Sequence, residues 1–499
     1  MAYPSPLRWS LRLAAASVAL LTGCAVGPDF ETPKLPDNAG YGAQAQDSKT
    51  AAPDGLAGGA QHLTEGADIQ ADWWALFHSE PLNRLIEEAL AKNADLAAGQ
   101  AALRAAYENV YAQEGAYYPQ LSASFTPSRQ KEAQVLSPTL ASPTPIFNLF
   151  TTQLSVSYTP DVWGANRRAV ESQEAQAESQ RFQLIATYLT LTSNLVGAAV
   201  QEASLRAQIA ATRDIIDAEQ QLLDLTQRQF KAGQISQGAV IAQRAAQAQA
   251  QATLPPLLKQ LDIQRDLLTA LAGRLPSQEI EQTFELDKLV LPQEIPVSLP
   301  SKLVAQRPDL RQAEANLHAA SANIGVAIAN RLPNITLSAN AGSTATDISR
   351  MFQSGSGFWE LAGGLTAPLF DGNTLLHKER GARALYDQAA AQYRSTVITA
   401  FQNVADALKA LSADADALEA SVVAERAAAE SLDIVRQQLK LGAINYLDLL
   451  NAETTYQQAR ITLVQVQATR YADTAALFQA LGGGWWNRSD TILTNADAD

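Results

Sequence analysis

The sequence predicts a mainly α-helical fold, duplicated within the chain, in which each copy carries one β-hairpin and one long antiparallel coiled-coil hairpin. Three observations lead there: a tandem repeat, strict period-two alternation on both sides of a polar loop in each copy, and helical stretches of unusual length. The repeat shows in Asp95-Leu96 and Leu103, which return as Asp309-Leu310 and Leu317, 214 residues on. At the same offset Asn109-Val110 returns as Asn323-Ile324, and Tyr118-Pro119-Gln120-Leu121-Ser122 as Leu332-Pro333-Asn334-Ile335-Thr336. Later landmarks return sooner. Pro160 and Gly164 match Pro368 and Gly372 at 208, Phe230-Lys231-x-Gly233 matches Leu439-Lys440-x-Gly442 at 209, and Leu271-Ala272-Gly273 matches Leu481-Gly482-Gly483 at 210. The shrinking offset puts about six extra residues in the first copy between Pro119 and Pro160, where a surface loop tolerates them.

The strands follow from alternation. Leu121, Ala123 and Phe125 alternate with Ser122, Ser124 and Thr126; beyond a Pro- and Ser-rich interval (127–148), Thr152, Leu154, Val156 and Tyr158 alternate with Gln153, Ser155, Ser157 and Thr159. The second copy repeats this with Ile335, Leu337, Ala339 and Ala341, then Trp359, Leu361, Gly363 and Leu365. Each run is a hairpin strand with one apolar and one small polar face, of the ~9–11 residues that cross a bilayer at a tilt. Four strands cannot close a barrel, and open edges are not tolerated in hydrocarbon, so spanning requires several chains to share one barrel. A soluble four-stranded sheet with a polar outer face is the alternative.

The helices follow from a 3-4 repeat. From 165 to 232 there is no Pro, and Gly occurs only at 197. Phe182, Ile185, Leu189, Thr192, Val196 and Ala199 form a stripe that continues, after a phase slip, through Leu205, Ile209, Thr212, Ile216, Glu219, Leu223, Thr226 and Phe230. Within 375–441, Val397, Phe401, Val404, Leu408, Leu411, Ala415, Leu418 and Val422 do the same. A repeat near 3.5 gives a left-handed coiled coil, and rods of this length reach ~100 Å. Each stops at Lys-x-Gly (Lys231/Gly233, Lys440/Gly442), a helix end with a cation at its negative pole. Return helices then occupy 236–273 and 445–482, while shorter helices, 81–117 and about 302–331, lead into the strands.

The N-terminus supplies an address. Arg8 and Arg12 flank an apolar run, Leu11 to Leu21, that ends in Leu21-Thr22-Gly23-Cys24. This reads as a signal peptide over 1–23, too short to anchor as a helix, and its Leu-Thr-Gly-Cys end resembles a bacterial lipobox, in which the Cys, here Cys24, becomes the lipidated first residue of the mature chain. An ordinary signal followed by a chance Cys, or a cytosolic apolar N-terminus, is the alternative. Cys24 is the one cysteine of 499 residues, so no intramolecular disulfide is available. Losing Arg8 and Arg12 with the signal takes the formal charge from −14 to −16. That acidity argues against nucleic acid and biases a water-filled passage toward cations. After the signal, no uncharged apolar stretch of transmembrane length is expected, which leaves spanning to strands. Residues 24–71, rich in Ala, Gly, Pro, Gln and Asp, read as a lipidated tether. The first repeat then occupies 72–274 with its hairpin at 119–160, a connector 275–300, the second repeat 301–484 with its hairpin at 333–369, and a C-terminal tail 485–499.

Together the lipobox, Asp72-Trp73-Trp74, Pro160-Asp161-x-Trp163-Gly164, Arg307-Pro308-Asp309-Leu310-Arg311, Pro368-x-Phe370-x-Gly372, and Leu439-Lys440-x-Gly442 through Tyr446-Leu447-Asp448-Leu449-Leu450 resemble the TolC-like outer-membrane efflux family, in its lipoprotein branch serving resistance-nodulation-division pumps. The likeness covers nearly the whole mature chain. It implies a homotrimer whose 12 strands make a transmembrane β-barrel and whose helices make a periplasmic α-barrel. It implies a covalent lipid on Cys24 with no other cofactor, a periplasmic adaptor and an inner-membrane pump as partners, and outer-membrane placement. The family's acidic entrance ring falls by position on Asp448, with its second acid replaced by Asn451; the matching position of the first copy is Ala239. Asp448 read by itself is a solvated acid in the first turn of a helix, favoured there by the helix dipole. Arg228, Lys231, Gly233, Arg436, Lys440 and Gly442 are the tip residues placed to meet an adaptor, or else are simply solvated helix ends. Trp359 and Tyr158 suit an aromatic girdle or a soluble core, and Trp73, Trp74, Trp485 and Trp486 suit packing against the equatorial body of the fold or, alternatively, lining an interface.

No enzyme constellation emerges. His62, His78, His318 and His377 are scattered, and neither a nucleophile elbow nor a phosphate loop is present. The function expected is a passive exit duct for small molecules, driven by an inner-membrane pump. The alternatives are a type I protein-secretion duct and a non-conducting coiled-coil lipoprotein that spaces envelope layers.

Overall fold

A computed structural model describes residues 25–35, 40–42, 48–131 and 146–488. The expected signal peptide, Cys24, most of the Pro- and Ser-rich interval and the end of the tail lie outside these residues. The α-helices are α1 (Glu80–Lys92), α2 (Ala94–Glu114), α3 (Ala165–Lys231), α4 (Gln237–Leu271), α5 (Pro300–Gln306), α6 (Pro308–Ala329), α7 (Thr374–Lys440) and α8 (Tyr446–Ala480). The strands are β1 (His62–Glu65), β2 (Gln120–Lys131), β3 (Ile146–Tyr158), β4 (Glu294–Val297), β5 (Asn334–Ala345) and β6 (Gly357–Thr366). The chain divides into two compact units, described separately. One holds the residues up to Pro33, Arg104–Ser179 and Ala313–Tyr393; the other holds Lys34–Leu103, Gln180–Gln312 and the residues from Arg394.

The first unit contains the four-stranded sheet, in the order β2-β3-β5-β6 and antiparallel throughout. Its register keeps the expected faces continuous. Leu121 pairs with Val156, Val156 with Ala339 and Ala339 with Leu361, while Ser122 pairs with Ser155, Ser155 with Asn340 and Asn340 with Glu360. Period-two side-chain direction therefore gives one apolar and one small polar face across these rows of all four strands, while towards the other end Arg129 and Lys131 fall on the first face and Phe147 and Leu149 on the second. The strands meet the long helices through caps. Asp161 accepts from the N–H groups of Asn166 and Arg167 at 3.0 and 2.9 Å, and Asp371 accepts from that of Leu375 at 2.8 Å. Gly164 (φ +77°) and Gly372 (φ +64°) make the turns.

The second unit is built around the coiled-coil hairpins, and α3 and α7 are both 67 residues long, within one residue of expectation at either end. Val404, Leu408, Leu411, Ala415 and Leu418 are buried at 3-4 spacing, as are Ile185, Leu189, Thr192, Val196 and Ala199. Gly273 closes α4 by bonding to Ala270 while Arg274 reaches Thr269; Gly482 closes α8 by bonding to Gln479 while Gly483 reaches Phe478. These bonds equate Gly273 with Gly482 at an offset of 209, correcting the 210 expected there.

Several expectations need correction. The helix expected over 81–117 breaks at Asn93, which is extended. The one expected over 302–331 breaks at Arg307, because the residue before Pro308 is pushed out of the helical region. The breaks are matching stitches. Asn93 donates to the Leu271 carbonyl at 3.1 Å, and Arg307 donates to that of Ala480 at 2.8 Å while forking onto Asp309.

The tether reading of 24–71 fails for its described part. β1 pairs in parallel with β4, and Gln61 is fully buried, donating to Pro292 and Thr474. Arg470, also fully buried, donates to the Ala57 and Gly59 carbonyls and to Thr50. In the other unit Arg168 holds Val26 and Asp29. Fixed main-chain contacts of this kind leave no periodicity for a sequence reading to find.

The tail reading from 485 also fails at its start. Trp485 donates to Gln306 at 2.6 Å, and Asn487 to Ile69 at 2.7 Å. Finally, α3 does contain a stretch apolar enough and long enough to cross a membrane, contrary to expectation, but 67% of it is buried within the protein. It is a core helix face.

Candidate functional site

Two surfaces carry the candidate function. The first is the apolar face of the sheet. Leu121, Phe125, Leu154, Leu337, Trp359, Leu361 and Leu365 are large apolar side chains, all on this one face and all exposed, Trp359 at 76%. A soluble sheet buries such a face. Here the greasy face is left exposed, as lipid contact requires. The opposite face carries Ser122, Ser124, Gln153, Ser155, Asn340 and Glu360, with Asn340 donating to Glu360 at 3.3 Å. β2 and β6 are edge strands, each paired on one side only among the described residues.

The second surface is the pair of helical tips. Both use one device. Gly233 and Gly442 each sit at φ +73°, where glycine is unstrained. Gly233 donates to Phe230 and Gln234 to Gln229; Gly442 donates to Leu439 and Ala443 to Gln438. This pair of bonds satisfies the orphan carbonyls of a helix end. Arg228, Lys231, Arg436 and Lys440 stand exposed on the last turns, although Arg436 also reaches Glu453 at 3.3 Å.

Asp448 lies in the first turn of α8 and is exposed. Asn445 caps that helix, its side chain accepting from the N–H groups of Leu447 and Asp448 at 2.8 and 3.1 Å, while Asp448 accepts from the Asn445 N–H at 3.1 Å. The carboxylate is thus fixed by a capping box rather than free to swing. In the first copy Ser236 caps α4 alone, since Ala239 stands where Asp448 would be. Asn451, one turn further, lines an open groove of about 850 Å³ with Thr454, Thr455 and Gln458 of α8 and Ala420 and Ser421 of α7.

Behind the tips lies a buried polar cluster that the sequence reading did not single out. Glu219 of α3 accepts from Gln243 of α4 and from Gln457 of α8, the latter at 2.8 Å. The Tyr446 hydroxyl donates to Gln243, tying the first residue of α8 to α4. Glu453 is 5% exposed, and one of its oxygens has no hydrogen-bond partner. Burial first, and then the charge of Glu219, push its carboxyl up to about 7, with Arg436 pulling the other way. Burial likewise raises the Tyr446 hydroxyl. One signal was visible: Glu219 sits on the apolar stripe of α3, where an acid has to find buried donors. Glu453 left none, since its partners are remote in sequence. Among the described residues no group of His, Cys, Asp and Glu is arranged to hold a metal ion.

Comparison with known proteins supplies the family. The family model described as outer membrane efflux protein matches residues 85–274 and 299–483, one span in each repeat. The probable efflux pump outer membrane protein TtgC of Pseudomonas putida is 27% identical, over 98% of this chain and 99% of that protein. The pyoverdine export outer membrane protein OpmQ of the same species is 30% identical over 84% of this chain and 89% of its own. Among solved structures, the outer-membrane channel OprN aligns with a TM-score of 0.82 at 26% identity, covering 93% of this chain and all of that one. The chain therefore belongs to the outer membrane efflux protein family and serves as an exit duct in the outer membrane.

Proposed function

We propose that three copies of this chain close one 12-stranded barrel, and that the helical hairpins form the periplasmic part of a passive channel for small molecules. The observation that carries this reading is the sheet. Among the described residues it exposes an apolar face and ends in two edge strands that are each paired on one side only. A spacer lipoprotein has no need of such a sheet, while an open edge in hydrocarbon leaves unmet hydrogen bonds at several kcal/mol per group. Closure by further copies removes every edge.

The tips at Gly233 and Gly442 then face a periplasmic adaptor, with Arg228, Lys231, Arg436 and Lys440 offering cations to it. An inner-membrane pump of resistance-nodulation-division type supplies the energy. Asp448, repeated three times around the axis and held by its capping box, forms an acidic ring at the entrance, with Asn451 replacing a second ring. Lipid on Cys24 anchors the mature chain. Relatives named for efflux and for pyoverdine export support small-molecule traffic. Purified protein in planar bilayers tests the reading: stepwise ion conductance is expected, and a trimeric, outer-membrane-extracted sample that conducts nothing overturns it.

A further inference from the structure

The duplication fixes how one copy of the chain meets the next. Within the chain, β3 of the first repeat pairs with β5 of the second. The seam between copies joins their counterparts, β6 of the second repeat and β2 of a neighbouring first repeat. The pairings themselves supply the offsets. Gln120 and Asn334 open β2 and β5, 214 apart, as are Leu121 and Ile335. Leu121 faces Val156 and Ile335 faces Leu365, so β3 maps onto β6 at 209, the offset that also relates Gly233 to Gly442.

Resting on the trimer reading, we infer that β6 of one copy pairs antiparallel with β2 of the next in a single register, with Leu365 opposite Phe125 and Thr366 opposite Ser124 of the neighbour. The register comes from Val156 facing Ala339 and Ser157 facing Ser338 in the β3–β5 ladder, each carried across by its offset. Three features agree with it. All twelve residues of β2 are exposed along its length, leaving that edge open. Near the start of β2, Leu365 meets Phe125 on the apolar face and Thr366 meets Ser124 on the polar one, so both faces carry across the seam in these rows. Phe150 maps onto Trp359, and the register sets Trp359 against Lys131 of the next copy, with Arg129 against Leu361. A cation beside an outward-facing indole near the strand ends fits the headgroup level of a bilayer. A slip of two residues keeps the faces but breaks these pairings.

Cysteine cross-linking in the full-length protein, in native outer membranes, tests the register. Neighbouring antiparallel pairs alternate between wider and closer spacing, so either Phe125→Cys with Leu365→Cys, or Ser124→Cys with Thr366→Cys, presents the closer geometry that a disulfide needs. Chains carrying one of these pairs are expected to run as disulfide-linked oligomers on a non-reducing gel. Phe125→Cys combined with Gly363→Cys or with Ala367→Cys samples the slipped registers and is expected to link several-fold less. More efficient linking by a slipped pair overturns the register. So does absence of links at both in-register pairs in a sample that is trimeric by mass and conducts. A monomeric, non-conducting sample removes the trimer reading and the seam with it.

Discussion

The two coiled-coil hairpins share a backbone but not a charge pattern. α3 and α7 have 67 residues each, α4 and α8 have 35 each, and both tips turn on a glycine at φ +73°. At the shared offset of 209, however, the buried Glu219 corresponds to Ala428, Gln243 to Ala452, Glu453 to Arg244 and Asp448 to Ala239. The backbone geometry is held by the requirements of helix ends and knobs-into-holes packing, which both copies must meet. Side-chain chemistry is free to differ, and it does so at the tips. The first hairpin contributes the buried acceptor Glu219, and the second brings the capping box, the exposed acid and the pH-sensitive carboxyl. Buried polar residues at coiled-coil positions are best attested as devices that set register. In this chain they make one hairpin the complement of the other.

Glu453 tests that complementarity most strongly. Its carboxyl titrates near 7 in the folded chain, against 4.5 for an ordinary Glu, so the folded tip binds the proton more tightly than the opened one. Tip stability is then complete below about pH 4.5 and falls as pH rises through 7. Glu453→Gln is expected to remove this dependence and to stabilise the tip above pH 7 by up to about 3 kcal/mol. Amide hydrogen exchange along the last turns of α3 and the first turns of α8 reads this as a pH-dependent opening free energy. An unchanged pH profile in the variant would show that Glu453 is not the group that titrates.

Glu219→Ala makes the first hairpin resemble the second at this position. It takes the carboxylate from Gln243, whose buried amide keeps only the backbone carbonyl of residue 219, and from the half-buried amide of Gln457, for an expected loss of about 2 kcal/mol in the same exchange measurement. The effect should reach α8 as well as α3, because Gln457 belongs to α8. A loss confined to α3 and α4 would mean that the two hairpins do not stabilise each other.

How far the sequence foretold these regions depended on periodicity. Glycine stops and 3-4 stripes located the long helices within a residue, and alternation located all four strands, because each is a repeated local signal. The Asn93 break and the strap over 48–71 rest on single contacts to remote residues, such as Gln61 to Thr474, and one sequence carries no trace of them. Pro308 did mark its own break. At the candidate site the tips and Asp448 were legible as helix ends. The buried cluster behind them was not, since a Glu such as Glu453 looks alike on a wet or a dry face until its neighbours are known.

The smallest expected effect on stability falls at Asp448, and there the two hairpins differ most simply. Asp448→Ala removes one arm of the capping box and an acid near a helix N-terminus, for an expected cost of about 0.5–1 kcal/mol. Its electrical effect is separable from that cost. In the trimer proposed above, three Asp448 carboxylates at the entrance would raise the local cation concentration, and their removal is expected to weaken cation preference in bilayer recordings across a salt gradient. Ala239→Asp is the complementary change. It places an acid three residues after the Ser236 cap, recreates the capping box in the first hairpin, and doubles the number of acids at the tips. Cation preference should then rise by an amount that high salt screens away. A shift in the same direction for both variants would mean that selectivity is set by the whole acidic lumen rather than by the tips. Opposite shifts would place the filter where the two copies of the repeat diverge.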